Sequence, residues 1–167
     1  NSLQDILQRS SQTLQITGGK WQLERTIGEP LKIDIQQANY ESRPNTPTKI
    51  NVAGRVDNKP FSITMRENGL FALQSRKLIT LAATAKLADT ELRLDGKLTR
   101  KSKQEVIEVQ LRTELSGKRM NSLNDILGLN LPPLGPYRVE GSLTSGKQNT
   151  RLHDMLLQIG DSVLKGE

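Results

Sequence analysis

The sequence predicts a mainly β protein: an elongated antiparallel meander curled into a groove, with short helices near residues 2–9 and 120–128. Three observations carry that expectation. Apolar residues recur at every second position along most of the chain, as in Leu31-Lys32-Ile33-Asp34-Ile35, and that period belongs to a strand with one apolar and one wet face. Short clusters of Gly, Pro, Asn and Asp separate these runs and supply the turns. Glycine also recurs inside the strands, in Ala53-Gly54-Arg55-Val56, Asp95-Gly96-Lys97-Leu98 and Glu140-Gly141-Ser142-Leu143. There it marks a bend or a close backbone approach.

Taken in order, Ser2 caps a short helix over Leu3 to Arg9, with Leu3, Ile6 and Leu7 on one face. Leu14 and Ile16 alternate up to Gly18-Gly19, and Trp21 and Leu23 alternate beyond it, which reads as a hairpin around the glycine pair. Gly28-Glu29-Pro30 interrupts the pattern, and Ile33 and Ile35 resume it. The run Ser42 to Pro47 is a polar loop. Ile50, Val52, Gly54 and Val56 form the next face, Asp57-Asn58-Lys59 the turn, and Phe61, Ile63 and Met65 the return strand. Asn68-Gly69 is a further turn, leading into Leu70 to Leu73.

Three long strands follow, with faces of Ile79, Leu81, Ala83, Ala85 and Leu87, then Leu92, Leu94, Gly96 and Leu98, then Ile107, Val109, Leu111 and Leu115. Arg100 to Gln104 is a solvated turn between the last two. The second helix carries Met120, Leu123, Ile126 and Leu127, with Asn121 or Ser122 as cap and Gly128 as stop. The run Leu131-Pro132-Pro133-Leu134-Gly135-Pro136 ends it, because proline lacks the amide donor and clashes with the preceding turn. A strand leaves that corner with Tyr137, Val139, Gly141 and Leu143 on one side. Met155, Leu157 and Ile159, then Gly160-Asp161 and Val163-Leu164, make a last hairpin. From Gly54 to Gly96 is 42 residues and from Gly96 to Gly141 is 45, steps that suggest stacked units of about 31–75, 76–118 and 119–167. A bend at the same place in successive strands would curl the sheet; glycines tolerated near hairpin ends are the plainer account.

Composition narrows the chemistry. The hydrophobic share is 34% and the aromatic share 3%, low against the roughly 45–50% of globular chains, an average that also counts glycine, so a thin core is expected. No cysteine and one histidine, His153, rule out disulfides, thiolate sites and histidine metal clusters. The net charge of +6 is spread over alternating positions beside acidic residues, such as Lys32 by Asp34 and Arg93 by Asp95, which reads as a solvated face. No nucleotide-cradling loop or nucleophile elbow occurs. His153 and Asp154 are chain neighbours in a strand-like stretch and point to opposite faces, and the carboxylates sit at outer positions. The chain is expected not to be an enzyme and to need no cofactor. With few aromatics, which fall in step with the aliphatic positions, nucleic acid is not expected as a partner. No apolar run reaches the roughly 20 residues of a membrane span.

An aliphatic face repeated over many strands must close against something. An ordinary β-sandwich is one solution, and a curled sheet holding acyl chains is the other. The run from Leu123 to Leu143, with Leu131-Pro132-Pro133 and Pro136-Tyr137 followed by Gly141, resembles the AsmA family, and so does its continuation through Ile159-Gly160-Asp161-Ser162 to Gly166. Gly54 to Phe61 and Leu92 to Leu98 resemble the preceding strands of that family. The resemblance covers roughly residues 30–167 and implies the C-terminal part of an AsmA-like or TamB-like repeat region. It implies a periplasmic location in a Gram-negative envelope, with the full-length protein anchored in the inner membrane through a segment outside this fragment. It also implies a phospholipid-carrying β-groove, inner-to-outer membrane lipid transport and envelope integrity, with no catalytic residues. On that reading Ile33, Ile35, Ile50, Val52, Leu81, Ala83, Leu92, Leu94, Val109, Leu111, Val139 and Leu143 line the groove. The alternative is a β-rich scaffold or assembly factor for outer-membrane protein biogenesis, which carries no lipid and offers a sheet edge to its partners.

Overall fold

The structure, a computed structural model, describes residues 12–23, 30–68, 78–100, 107–124, 128–146 and 149–166. Ten strands form one antiparallel sheet in chain order: β1 (Gln12–Leu23), β2 (Leu31–Ser42), β3 (Thr48–Val56), β4 (Lys59–Asn68), β5 (Leu78–Leu87), β6 (Thr90–Arg100), β7 (Ile107–Gly117), β8 (Tyr137–Ser145), β9 (Thr150–Ile159) and β10 (Ser162–Gly166). Every strand pairs with its chain neighbours, and the curled meander does not close into a barrel. Among the described residues no second sheet faces it, so the β-sandwich expectation is set aside.

The turns follow from residues that tolerate a left-handed backbone. Asp57 (φ 45) and Asn58 (φ 68) form the two-residue loop between β3 and β4, whose twist matches that of the flanking strands when both φ values are positive. The Asp57 amide donates to the Lys32 carbonyl (2.9 Å) and its carboxylate accepts from the Lys32 amide (3.0 Å), tying the turn to β2. Gly160 (φ 55) turns β9 into β10, and Asn45 (φ 60) sits in the polar loop before β3.

Several expectations need correction. Gly18-Gly19 is not a hairpin: β1 runs through it and pairs with β2 on both sides, Thr17 opposite Gln37 and Gly19 opposite Ile35. The reason lies in β2, whose pairing with β3 shifts between Ile35 and Gln37. Gly18, at φ 75, lets β1 follow that irregularity without leaving the sheet. The short helix near 120–128 opens as a 3₁₀ turn at Met120–Leu123 and continues into α-helical backbone at Asn124, with Arg119 as the capping position. Ser122 does not cap it; its hydroxyl donates back to the Arg119 carbonyl at 2.7 Å. Gly128 takes the left-handed backbone that a helix stop would use, at φ 64. The helix near 2–9, the Gly28-Glu29 break, the Gly69 turn with its following stretch, and most of the Arg100–Gln104 turn lie outside the described residues.

The recurring strand glycines have a different logic from a shared bend. Register places Gly54, Gly96 and Gly141 in three separate cross-strand ladders, so no single line of glycines creases the sheet. Each instead faces the apolar side beneath a neighbour's side chain: Phe61 over Gly54, Leu111 over Gly96 and Met155 over Gly141. The Gly54 site is the tightest, because a Cβ there would drive into the Asp34 carbonyl and come within 2.9 Å of the Phe61 ring. Backbone cannot yield as a flexible side chain can. Gly54→Ala should therefore destabilise the sheet by about 3 kcal/mol, whereas Gly19→Ala, whose Cβ would meet only Ile35 at 3.9 Å, should shift the urea midpoint little.

The proline corner is fastened at several points. The Met120 amide donates to the Leu134 carbonyl (2.8 Å), and the Gly160 amide donates to the Pro136 carbonyl (2.8 Å). Asn124 clamps Leu131 from both sides, its Nδ2 donating to the carbonyl (3.0 Å) and its Oδ1 accepting from the amide (2.7 Å). Tyr137, 4% exposed, lays its ring over Gly117 and shares a hydrogen bond with the Thr90 hydroxyl at 2.9 Å. Thr90 in turn lies 3.4 Å from the Ser122 hydroxyl. This chain of hydroxyls seats the 3₁₀ turn on one end of the apolar face.

Candidate functional site

Side chains of directly paired residues share a face of the sheet, so register assigns each expected groove residue to a side. All twelve fall on the same one. Val52, Leu92 and Val139 stand in one ladder, Ile50, Ala83 and Leu94 in the next, and Leu81, Leu111 and Leu143 in a third. Ile35 pairs with Gly54, Ile33 with Val56 and Val109 with Leu98 at the flanks.

The ladder through Val52 is the most complete. It runs Ile16, Ala38, Val52, Ile63, Ala85, Leu92, Leu115, Val139, Leu157 and Leu164, one aliphatic residue from every strand. At about 4.8 Å between strands, nine steps span roughly 43 Å. The irregularity in β2 is what keeps this ladder intact. Ile33 and Ile35 are at odd positions, yet beyond the shift Ala38 and Tyr40 face the apolar side at even ones. Tyr40, Ala38 and Ile16 thus also stand on the apolar face, although the expected set lacked them, and a strict count of two along β2 excludes the first two.

The face is neither a sealed core nor a bare surface. Among the described residues only Ile35, Ile79 and Tyr137 are buried apolar residues, while Leu92 keeps 38% of its surface and Ile63 39%. Exposure rises at the outer strands, to 63% for Trp21 on β1 and 68% for Leu164 on β10. The apolar stripe therefore reaches both edges of the sheet without being covered along its middle.

Polar residues interrupt it, among them one buried carboxylate. Glu67, 2% exposed, continues the Phe61-Ile63-Met65 frame and stands on the apolar face between Thr48 and Leu81. This corrects the expectation that the carboxylates occupy outer positions. The signal was present in the sequence, since extending the same frame by two residues reaches Glu67.

The opposite face carries charges in cross-strand pairs. Glu140 lies between Arg112 (3.7 Å) and Arg138 (2.6 Å), and Arg138 also reaches Glu114 at 3.1 Å. Glu91 bonds to Lys86 at 3.1 Å and to Arg93, and these cations hold its carboxyl below the usual range, Lys86 first. Its contribution is therefore present at neutral pH and fades as pH falls through that lowered value. A hollow of about 500 Å³ is bordered by Arg66, Asp95, Arg112 and His153 together with Glu67 and Leu111 of the apolar ladders. His153 and Asp154 do not point apart: His153 Nδ1 lies 2.7 Å from Asp154 Oδ2 and its Nε2 lies 3.0 Å from the Thr144 hydroxyl. A second register shift, between Glu140 and Ser142, and Asp154 at φ 54 break the alternation there.

Among the described residues no group of three or more His, Cys, Asp or Glu side chains is placed to hold a metal ion. No helix among them is long and apolar enough to cross a membrane. Compared with known proteins, the chain matches no family model, no curated protein and no solved structure.

Proposed function

We propose that this chain is a periplasmic segment of an AsmA-like protein that binds phospholipid acyl chains along its apolar face. Its role would be to carry them between the inner and outer membranes and so maintain the envelope. The observation that supports this reading is the ten-residue aliphatic ladder, continuous from Ile16 on β1 to Leu164 on β10 and left partly exposed. Each methylene withdrawn from water onto such a face stabilises the bound lipid by about 0.8 kcal/mol. Because Ile, Val, Leu and Ala succeed one another along the ladder, neighbouring positions differ little in energy. A bound chain then slides rather than lodges. The charged opposite face keeps the sheet hydrated, and the head group stays in water beside the open apolar surface.

Native mass spectrometry of the purified chain, with lipid extraction of the same sample, tests this. Co-purifying phospholipid, or uptake of an added fluorescent phospholipid, is the expected result. A mass free of lipid together with no uptake would overturn it. The second reading, a lipid-free scaffold for outer-membrane protein assembly, is favoured by the outer strands: β1 and β10 end the sheet, and Val163 and Leu164 on β10 are 53% and 68% exposed. Strand addition at such an edge uses backbone hydrogen bonds and alternate side chains.

A further inference from the structure

We infer that the proline corner between Gly128 and Pro136 is a docking tip for an anionic phospholipid bilayer. It deepens the lipid-carrying reading above by naming the surface on which the chain would load or unload. The nine residues Gly128-Leu129-Asn130-Leu131-Pro132-Pro133-Leu134-Gly135-Pro136 carry no charge. Leu129 and Leu134 are 49% and 48% exposed, and Pro132, Pro133 and Pro136 are exposed beside them. Isolated exposed leucines are ordinary, but a whole corner of leucine and proline is not.

The backbone of the corner is partly prepared for an apolar medium, where each unsatisfied amide is costly. Prolines 132, 133 and 136 have no amide hydrogen. The Leu129 amide donates to the Asn124 carbonyl (3.2 Å), that of Leu131 to Asn124 Oδ1 (2.7 Å) and that of Leu134 to the Pro132 carbonyl (2.8 Å). The carbonyls of Leu131 and Leu134 accept from Asn124 Nδ2 and the Met120 amide. Three of the corner's six amides, those of Leu129, Leu131 and Leu134, thus reach a bilayer interface already bonded.

Charge selects the kind of surface. The hydrogen bond from Met120 to Leu134 brings the exposed Lys118 and Arg119 alongside the corner. Two cations flanking exposed leucines match an anionic head-group layer, each basic residue near such a surface adding about fivefold in affinity. A protein pocket would take the leucines equally well but has no general need for the cations.

The test is co-sedimentation of the whole chain with vesicles of equal parts phosphatidylcholine and phosphatidylglycerol, against pure phosphatidylcholine. Wild type should bind the anionic vesicles and bind the neutral ones far less. Leu129→Ser with Leu134→Ser should lower anionic binding at least tenfold at an unchanged melting temperature, because both side chains are already half in water. Lys118→Ala with Arg119→Ala should lower it about twentyfold and remove the preference for anionic lipid. As a second readout, Leu134→Trp in a Trp21→Phe background should shift its fluorescence to the blue on adding anionic vesicles. Wild-type sedimentation by the double serine variant, or no blue shift, would overturn the inference, and a protein pocket would then be the better occupant. The lipid-carrying reading fails separately: vesicle docking that survives Leu92→Asp while bound lipid is absent even from wild type would remove the cargo and keep the tip.

Discussion

Leu92→Asp should abolish phospholipid co-purification while leaving the sheet folded. Leu92 stands mid-way along the continuous ladder, between Ala85 and Leu115, and retains 38% of its surface. That exposure decides the outcome. A carboxylate there remains hydrated, so folding loses only part of a leucine's burial, about 1 kcal/mol. An acyl chain crossing the same point would have to displace that hydration, which no apolar contact nearby offsets. At least a tenfold loss of bound lipid is expected, with circular dichroism and melting temperature close to wild type. Leu94→Asp, one ladder away, should behave alike. Normal lipid content in either folded variant would mean that the apolar face is not the binding surface.

Tyr137→Ala should be the most destabilising single change in the described sheet, by about 3–5 kcal/mol. The ring is almost fully buried and fills the space that Gly117 leaves open. Its loss also removes the hydroxyl that links Thr90, itself 6% exposed, to the corner. Tyr137→Phe separates the two contributions: it keeps the packing and should cost about 1 kcal/mol, the scale of one hydrogen bond. Chemical denaturation of both variants measures the difference. Equal losses would show that the hydroxyl link, rather than the ring over Gly117, seats the corner.

These two sites differ in how far they could be read from the chain alone. Leu92 is legible because Leu92, Leu94, Gly96 and Leu98 alternate without interruption, and a period of two admits one orientation. Tyr137 is legible as the first residue of a strand after the proline corner, but its partner is Gly117, twenty residues back and across a strand boundary. Periodicity within a segment says nothing about which segment lies beside it.

The sequence by itself determined that this is a meander of two-faced strands, where most of its turns fall, and which residues share a face within each strand. Local alternation suffices for that, since each strand obeys the same steric rule. Only the tertiary structure decided that one aliphatic ladder crosses all ten strands. It also decided that β1 passes straight through Gly18-Gly19, that Glu67 stands among the leucines, and that His153 meets Asp154. Each depends on register, and a single extra residue in one strand reverses every side chain beyond it. Such an insertion changes the hydrogen-bond pairing between strands and leaves the partner strand's own alternation unaltered. Alternation is local; register is not.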